Sequence, residues 1–150
     1  MLYLAYGSNM NWDWMRERCS SARFLFTAKL EGFRLDFTRH STTHRCGVAD
    51  ILFDPAATVW GVVYHIKDEQ QAALDKAEGV GIGAYKHFTV DVHPEGDHAQ
   101  RIKAVTYVVV NKEDPRPKPS AVYKQLISGG AKHWKLPAQY IAQLERIEVA

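Results

Sequence analysis

The chain has few of the features that mark secreted or membrane proteins. Only two of its 150 residues are cysteines, Cys19 and Cys46, which excludes a disulfide framework and favours a reducing compartment. No apolar run approaches the length of a membrane span, and the first residues lack the basic flank and small-residue cleavage site of a secretory signal. We therefore expect a cytoplasmic protein that is not associated with a membrane.

The chain also lacks a strong excess of charge of either sign. Its 19 basic and 17 acidic residues leave a net charge of +2, which is too small to indicate nucleic acid or a membrane surface as a partner. Hydrophobic residues make up 46% and charged residues 24% of the chain, as in ordinary globular proteins. At this length we expect a single domain, residues 1–150, with a real core.

Strand signals outnumber helix signals along the chain. Apolar or alternating runs predict strands over 2–6, 24–30, 33–37, 48–53, 59–66, 85–93 and 101–110. The polar stretch 38–47 is predicted to be a loop, Asp54-Pro55 a turn, and 94–97 the turn of a hairpin. The three prolines in 111–119 indicate a semi-rigid connector.

Four helices are predicted from their end signals. Asn11 is expected to cap a helix over 12–18, and Asp68, with Gln71 in the capping-box position, a helix that ends at Gly79. Ser120 is expected to cap a helix that ends near 129–130, and Pro137 to begin one that runs to about 146. The pattern predicts an α+β fold: a mixed, largely antiparallel sheet, able to curl into a barrel, with flanking helices.

The first candidate site feature is the turn Tyr6-Gly7-Ser8-Asn9, which directly follows the apolar run Leu2–Ala5. A strand, a Gly-Ser-Asn turn and a helix start place several backbone N–H groups close together. Such a turn is suited to hold an anion or to stabilise a developing oxyanion.

The second feature is Glu78, one helical turn after Leu74 and therefore on the same face. If Leu74 faces the core, Glu78 points inward, where burial and the helix dipole both raise its pKa towards the range of a general acid or base. Gly79, Gly81 and Gly83 then leave room for a ligand. The pattern alone leaves open that Glu78 is a solvated last-turn residue and Gly79 an ordinary helix-ending glycine.

Two patterns around residue 40 are weaker indications of a functional site. His40, His44 and Cys46 lack the paired spacing of a zinc site, and nothing in the sequence orients His44 to activate Cys46 as a nucleophile. The basic residues of 34–45 alternate with Phe33 and Phe37. This alternation favours a sheet that packs its aromatic face on the core and exposes its charges to water. It does not favour a nucleic-acid surface.

Several motifs together resemble the γ-glutamylcyclotransferase family, which has the AIG2-like fold. The resemblance covers residues 3–147. The matching segments, in order, are Tyr-Gly-Ser-Asn at 6–9, Val-Trp-Gly-Val-Val-Tyr at 59–64, Leu-Asp-Lys-Ala-Glu-Gly-Val at 74–80, Gly-Ala-Tyr at 83–85, Pro-Ser-Ala-Val-Tyr-Lys at 119–124, Gly-Ala-Lys at 130–132 and Leu-Pro at 136–137. The family's fold is a small mixed barrel with flanking helices.

The resemblance implies an activity and a set of site residues. Members of the family cyclise a γ-glutamyl amine, amino acid or peptide to 5-oxoproline and release the amine, without a metal or another cofactor. Glu78 stands at the position of the proton acceptor. The implied substrate-binding residues are Tyr3, Leu4, Ala5, Tyr6, Gly7, Ser8, Asn9, Tyr85 and Tyr123.

The resemblance leaves the released amine and the assembly open. Glutathione, γ-glutamyl amino acids, γ-glutamyl-lysine and γ-glutamylated antibiotic intermediates share the ring-closing half, and the leaving group would be recognised by 38–47 or 111–119. A homodimer is compatible with the family. The alternative is a non-catalytic module of this fold that binds a small ligand or a protein, which the loss of the acid at position 78 would mark.

Overall fold

Five strands form a closed barrel in the computed structural model, which describes residues 1–150. They are β1 (Leu2–Ala5), β2 (Arg23–Ser41), β3 (Cys46–His65), β4 (Tyr85–Pro94) and β5 (Ile102–Val109). The order around the barrel is β1-β3-β2-β4-β5. Every pair is antiparallel except β1 and β5, which meet in parallel at Tyr3 and Val105. The predicted α+β class with a mixed, largely antiparallel barrel is confirmed.

Four helices flank the barrel: α1 (Trp12–Arg18), α2 (Gln71–Ala77), α3 (Ala121–His133) and α4 (Ala138–Glu145). Short 3₁₀ turns cover Ser8–Met10, Asp68–Gln70 and Val80–Ile82. Two predicted caps are confirmed. The side chain of Asn11 accepts a 3.0 Å hydrogen bond from the backbone amide of Trp14, and the side chain of Ser120 accepts one of the same length from the backbone amide of Tyr123. None of the helices combines the length and the hydropathy needed to cross a membrane.

The strands β2 and β3 form one long hairpin, so two of the predicted boundaries are wrong. The predicted loop 38–47 is strand up to Ser41, which pairs with Cys46, and only the four residues between them make the turn. The predicted turn at Asp54-Pro55 lies inside β3. Phe53 and Thr58 pair with β2, and the four residues between them have no partner there. Such a bulge accommodates a proline, which cannot donate a hydrogen bond to the neighbouring strand.

The start of α2 also differs from the prediction. Asp68 does not cap α2, because it begins the 3₁₀ turn Asp68–Gln70 that precedes this helix. Lys67 occupies the N-cap position of the turn, and no side chain makes a capping hydrogen bond there. The carboxylate of Asp68 instead accepts a 3.3 Å hydrogen bond from the amino group of Met1. The predicted end is nearly right, because Gly79 directly follows the C-cap and has φ +69°.

The third helix continues through Gly129 and Gly130 to His133, beyond its predicted end. Gly130 is needed for packing rather than for ending the helix. A Cβ atom there would lie 2.5 Å from the carbonyl carbon of Met10. The last helix begins one residue later than predicted, with Pro137 at its N-cap.

One cluster of 35 buried residues forms the hydrophobic core. β1 lies within it, with Leu4 exposed by 1% and Ala5 fully buried. Since β1 ends at Ala5, the chain leaves the barrel at Tyr6 and enters the 3₁₀ turn close to the end of α2. This exit brings the two candidate features of the sequence together.

Candidate active site

Asn9 is the residue that joins the turn to its surroundings. Its side-chain amide donates to the hydroxyl of Tyr3 at 2.9 Å and to Oε1 of Glu78 at 2.8 Å. Its carbonyl oxygen accepts a 2.9 Å hydrogen bond from the hydroxyl of Tyr64. Asn9 is 4% exposed, so these buried bonds hold its amide in one orientation, aimed at the carboxylate.

The turn is also fixed from outside. A Cβ atom at Gly7 would lie 3.0 Å from the Cβ of Ala49, so the turn approaches β3 closely and leaves little room for a side chain at this position. The indole N–H of Trp134 donates to the carbonyl of Met10 at 2.9 Å. The amide N–H of Gly7 has no acceptor among the backbone or side-chain groups of the protein and remains free for a ligand.

Glu78 lies at the C-terminal end of α2, with its amide bonded to the carbonyl of Leu74 at 3.0 Å. Leu74 is fully buried, and Glu78 turns towards Asn9 as the shared helix face predicts. Burial raises the pKa of Glu78 to about 7. The positive charge of Arg18 and the hydrogen bond from Asn9 act in the opposite direction.

A small inner cavity of about 30 Å³ lies between the turn and Glu78. Its lining residues are Tyr3, Tyr6, Gly7, Ser8, Asn9, Ala49, Glu78, Tyr85, Tyr107 and Tyr123. All the predicted site residues except two contribute to this lining. The structure therefore brings Glu78, the turn, Tyr85 and Tyr123 into one place from distant parts of the chain.

Three tyrosine hydroxyls of this cavity are tied to the backbone. Tyr6 donates to the carbonyl of Tyr107 at 2.5 Å, and Tyr85 donates to the carbonyl of Ala49 at 2.6 Å. The hydroxyl of Tyr123 accepts a 3.0 Å hydrogen bond from the backbone amide of Ala49. These bonds lock the side-chain rotamers and make the wall rigid, which suits a site that must hold one substrate conformer.

Leu4 and Ala5 do not line the cavity, although the resemblance places them in the substrate-binding segment. Both are buried in the core, and the carbonyl of Leu4 accepts a 2.7 Å hydrogen bond from Thr106. They support the turn as part of β1. Tyr107 does line the cavity and was missed, because its apolar neighbours make the run 107–110 look like an ordinary core strand.

A larger outer cavity, about 200 Å³, adjoins the inner one and shares Ser8, Glu78, Tyr85 and Tyr123 with it. Trp14 and Arg18 of α1, the tip of the β2–β3 hairpin and the glycine-rich loop after Glu78 form the rest of its wall. Of the two segments proposed to recognise a leaving group, 38–47 lines this cavity and 111–119 does not. The i, i+4 spacing of Trp14 and Arg18, which puts both on one helix face, is a sequence signal that could have found them.

The histidine and cysteine near the hairpin tip have packing roles. The ring of His44 lies 4.7 Å from that of Tyr123 and 5.0 Å from that of Trp14. Burial lowers the pKa of His44, which favours its neutral form against these aromatic neighbours. Cys46 is buried opposite Ser41 in the hairpin.

Comparison with known proteins agrees with this geometry. Residues 58–144 match the model of the AIG2-like family. The γ-glutamylcyclotransferase of Homo sapiens is 36% identical over 98% of this chain and 78% of its own length, and that of Bos taurus is 37% identical over the same shares. The chain belongs to the γ-glutamylcyclotransferase family. It is an enzyme of that family, not merely a module with the same fold.

The solved structures of the family have the same architecture. One γ-glutamyl cyclotransferase superposes with a TM-score of 0.94 at 35% identity, over 100% of this chain and 89% of the other. The barrel, its flanking helices and the turn after β1 are therefore the family's fold.

Proposed function

We propose that this γ-glutamylcyclotransferase family member converts the γ-glutamyl group of a γ-glutamyl amine, amino acid or peptide to 5-oxoproline and releases the free amine. The observation that carries the proposal is the half-buried carboxylate of Glu78, held by Asn9 beside a turn that offers a free N–H. A base and an anion cradle in the wall of one cavity are what an intramolecular attack on a carbonyl needs.

Glu78 would first act as the general base. The attacking α-amine of the substrate must lose a proton before it can attack. With its pKa raised to about 7, Glu78 accepts that proton more readily than an ordinary glutamate, whose pKa is about 4.3. The burial of Glu78 therefore serves the reaction.

The neutral amine then attacks the γ-carbonyl carbon of the same molecule. A new C–N bond closes the five-membered ring, and the carbonyl oxygen becomes an oxyanion. The amides of Gly7, Ser8 and Asn9 would stabilise this charge or hold the substrate's α-carboxylate. Because both reacting groups belong to one molecule, holding the folded conformer contributes about 7–11 kcal/mol in favourable cases.

Collapse of the intermediate completes the reaction. The bond from the γ-carbon to the original amine nitrogen breaks, the C=O bond re-forms, and Glu78 returns its proton to the departing nitrogen. The ring nitrogen gives up its second proton to the released amine or to water, which leaves the neutral lactam. No metal or other cofactor is expected to take part. A small-molecule partner and a cytoplasmic location are the remaining predictions for the protein's setting, and a homodimer is compatible with them.

The test is 5-oxoproline release by the purified protein from γ-glutamyl-L-alanine, glutathione and γ-glutamyl-L-lysine. Glu78→Gln keeps the shape of the side chain and its hydrogen bond from Asn9, but cannot accept a proton, so turnover should fall by about 10²–10⁴-fold. Glu69→Gln, at an exposed position just before α2, is the matched control and should be unaffected. Full turnover by Glu78→Gln contradicts the role of Glu78, and a wild-type protein silent on every substrate contradicts the activity itself.

A further inference from the structure

The carboxylate of Asp75 contacts two strands of the barrel next to the inner cavity. The hydroxyl of Tyr107 on β5 donates to Oδ1 of Asp75 at 2.5 Å, and Nε2 of His87 on β4 lies 2.7 Å from the same oxygen. Tyr107 and His87 are paired residues of these strands, and their ring centroids lie 5.3 Å apart. Asp75 is on α2, three residues before Glu78, so these contacts tie the helix that presents Glu78 to the barrel.

The helix α2 has few other attachments that would fix its orientation. It has only seven residues, its N-cap residue makes no side-chain capping bond, and Leu74 is its only buried residue. Apolar burial is non-directional, so Leu74 holds the helix against the core without fixing its rotation about its own axis. Hydrogen bonds are directional, and the bond from Tyr107 supplies that constraint.

A second route joins α2 to the same tyrosine. Glu78 accepts a hydrogen bond from the side-chain amide of Asn9, which also donates to the hydroxyl of Tyr3. The ring of Tyr3 meets that of Tyr107 edge-on, with 5.6 Å between centroids. The helix is therefore attached at Asp75 and at Glu78, nearly one turn apart. Two attachments fix the rotation of the helix end, whereas one alone would leave a pivot.

We propose that Asp75 is a positioning residue for the reaction. By holding the hydroxyl of Tyr107, it fixes the end of α2 and keeps the carboxylate of Glu78 in its buried place beside Asn9. Asp75 lines neither cavity, so it acts through Tyr107 and the helix rather than on the substrate. The inference rests on the proposed cyclisation with Glu78 as its base and adds a residue on which that base depends.

Two variants remove the same hydrogen bond from opposite sides. Asp75→Ala removes the acceptor, and Tyr107→Phe removes the hydroxyl but keeps the ring. Alanine is a better helix former than aspartate, so a loss in Asp75→Ala does not come from a weaker helix. In each variant kcat for γ-glutamyl-L-alanine should fall by about 10–100-fold, the effect of a small misplacement of a catalytic group. KM should change by less than about threefold. The double variant should lose no more than the worse single one, because both changes delete one contact.

The pH profile distinguishes a displaced Glu78 from a smaller folded fraction. Burial raises the pKa of Glu78 by more than Arg18 and Asn9 together lower it. A carboxylate that moves out towards water should therefore titrate at lower pH, even when it loses those partners as well. The acid limb of kcat/KM should move to lower pH in both single variants. Loss of folded protein would lower the rate at every pH and leave the limb in place.

Two conservative variants serve as controls. Asp75→Asn removes the charge but keeps an oxygen that can accept the bond from Tyr107. It should retain kcat within about threefold and leave the acid limb in place, which excludes the loss of a charge near Glu78 as the cause. Asp91→Asn removes a carboxylate that pairs with Lys103 across the same two strands at an exposed position, and should change neither kcat nor the pH profile.

The other outcomes each overturn a defined claim. Wild-type kcat in Asp75→Ala overturns the proposal, as does a raised KM with unchanged kcat, or an acid limb that stays in place. Losses that multiply in the double variant, or an equal loss in Asp75→Asn, overturn it as well. If Asp75→Ala does not fold, Tyr107→Phe decides the question by the same measurements. Absence of 5-oxoproline from the wild type overturns the proposed cyclisation, and this inference with it, before any variant is made.

Discussion

The side-chain amide of Asn9 donates a 2.8 Å hydrogen bond to Oε1 of Glu78, which follows it by 69 residues in the chain. This bond connects the turn after β1 with the end of α2. It favours the ionised carboxylate, as does the charge of Arg18, while burial favours the neutral acid. The pKa of Glu78 is therefore a balance that single substitutions can move in known directions.

Replacing Asn9 by alanine should move this balance towards the neutral acid. The donor is lost while Arg18 stays in place, so the pKa of Glu78 rises above about 7. A hydrogen bond to a charged group contributes about 1.5–3 kcal/mol, which corresponds to a shift of about one pKa unit or more. The acid limb of the pH profile of kcat/KM should move to higher pH by that amount, since a general base must be ionised to act.

Asn11→Ala is the control for this measurement. It removes the N-cap of α1 and should cost about 1 kcal/mol of stability without shifting the acid limb. If the limb stays in place in Asn9→Ala, the hydrogen bond does not tune the carboxylate, and the proposed role of Asn9 is wrong.

Replacing Glu78 by glutamine should stabilise the fold at high pH. In the native protein the pKa of Glu78 is raised from 4.5 to about 7, so its contribution to stability is fully present below pH 4.5 and is lost as pH rises through 7. An amide carries no charge to desolvate. The Tm of Glu78→Gln should therefore exceed that of the wild type at pH 8, by a free energy on the order of 1–3 kcal/mol, and match it near pH 4.5. A Tm difference that is the same at both pH values would mean that ionisation of Glu78 is not its cause.

Two adjacent glycines of α3 should respond in opposite directions to alanine. Gly129 has open space where a Cβ would lie, so Gly129→Ala should stabilise the helix by about 1 kcal/mol. In Gly130→Ala the new Cβ would lie 2.6 Å from the carbonyl oxygen of Met10 and would push the 3₁₀ turn, with Asn9, away from Glu78. We expect Gly130→Ala to lower both Tm and kcat/KM. Equal Tm changes in the two variants would show that the contact with Met10 does not constrain the turn.

Removing the hydroxyl of Tyr123 should affect both stability and turnover. The buried amide of Ala49 would lose its acceptor, at a cost of about 1–3 kcal/mol. Because the carbonyl of Ala49 also holds the hydroxyl of Tyr85, the cavity wall should loosen and kcat/KM should fall. Urea denaturation and 5-oxoproline release measure the two effects in Tyr123→Phe. Val122→Ala, at a position 73% exposed, should leave both unchanged, and a Tyr123→Phe variant as stable as this control would contradict the structural role of the hydroxyl.

Local signals in the sequence account for what was predicted correctly. The caps at Asn11 and Ser120 depend on a side chain and an amide three residues later, so their sequence context contains both partners. The inward direction of Glu78 follows from its spacing to Leu74, because helix geometry puts both on one face. Such predictions need no knowledge of distant contacts.

The wrong predictions share one cause, which is contacts that a local sequence pattern does not contain. Polar residues in 38–41 and a proline at position 55 are typical of loops and turns. Residues 39–41 nevertheless pair with 46–48 across the hairpin, and Pro55 lies in a bulge of β3 between the paired residues Phe53 and Thr58. Gly129-Gly130 suggests the end of a helix, but the contact with Met10 explains why a glycine is required in mid-helix. In each case tertiary contacts outweigh the local preference.

The sequence by itself determined the fold class, the turn at 6–9, the inward carboxylate of Glu78 and the two tyrosines at 85 and 123, because these follow from short-range geometry and from ordered family motifs. Only the tertiary structure decided that Tyr107 completes the inner cavity and that Arg18 stands unpaired in the outer one. The physical reason is that burial and charge pairing are properties of the surroundings of a side chain. Barrel closure sets those surroundings by bringing together residues that are far apart in the chain, such as Tyr6 and Tyr107, which are separated by 101 positions.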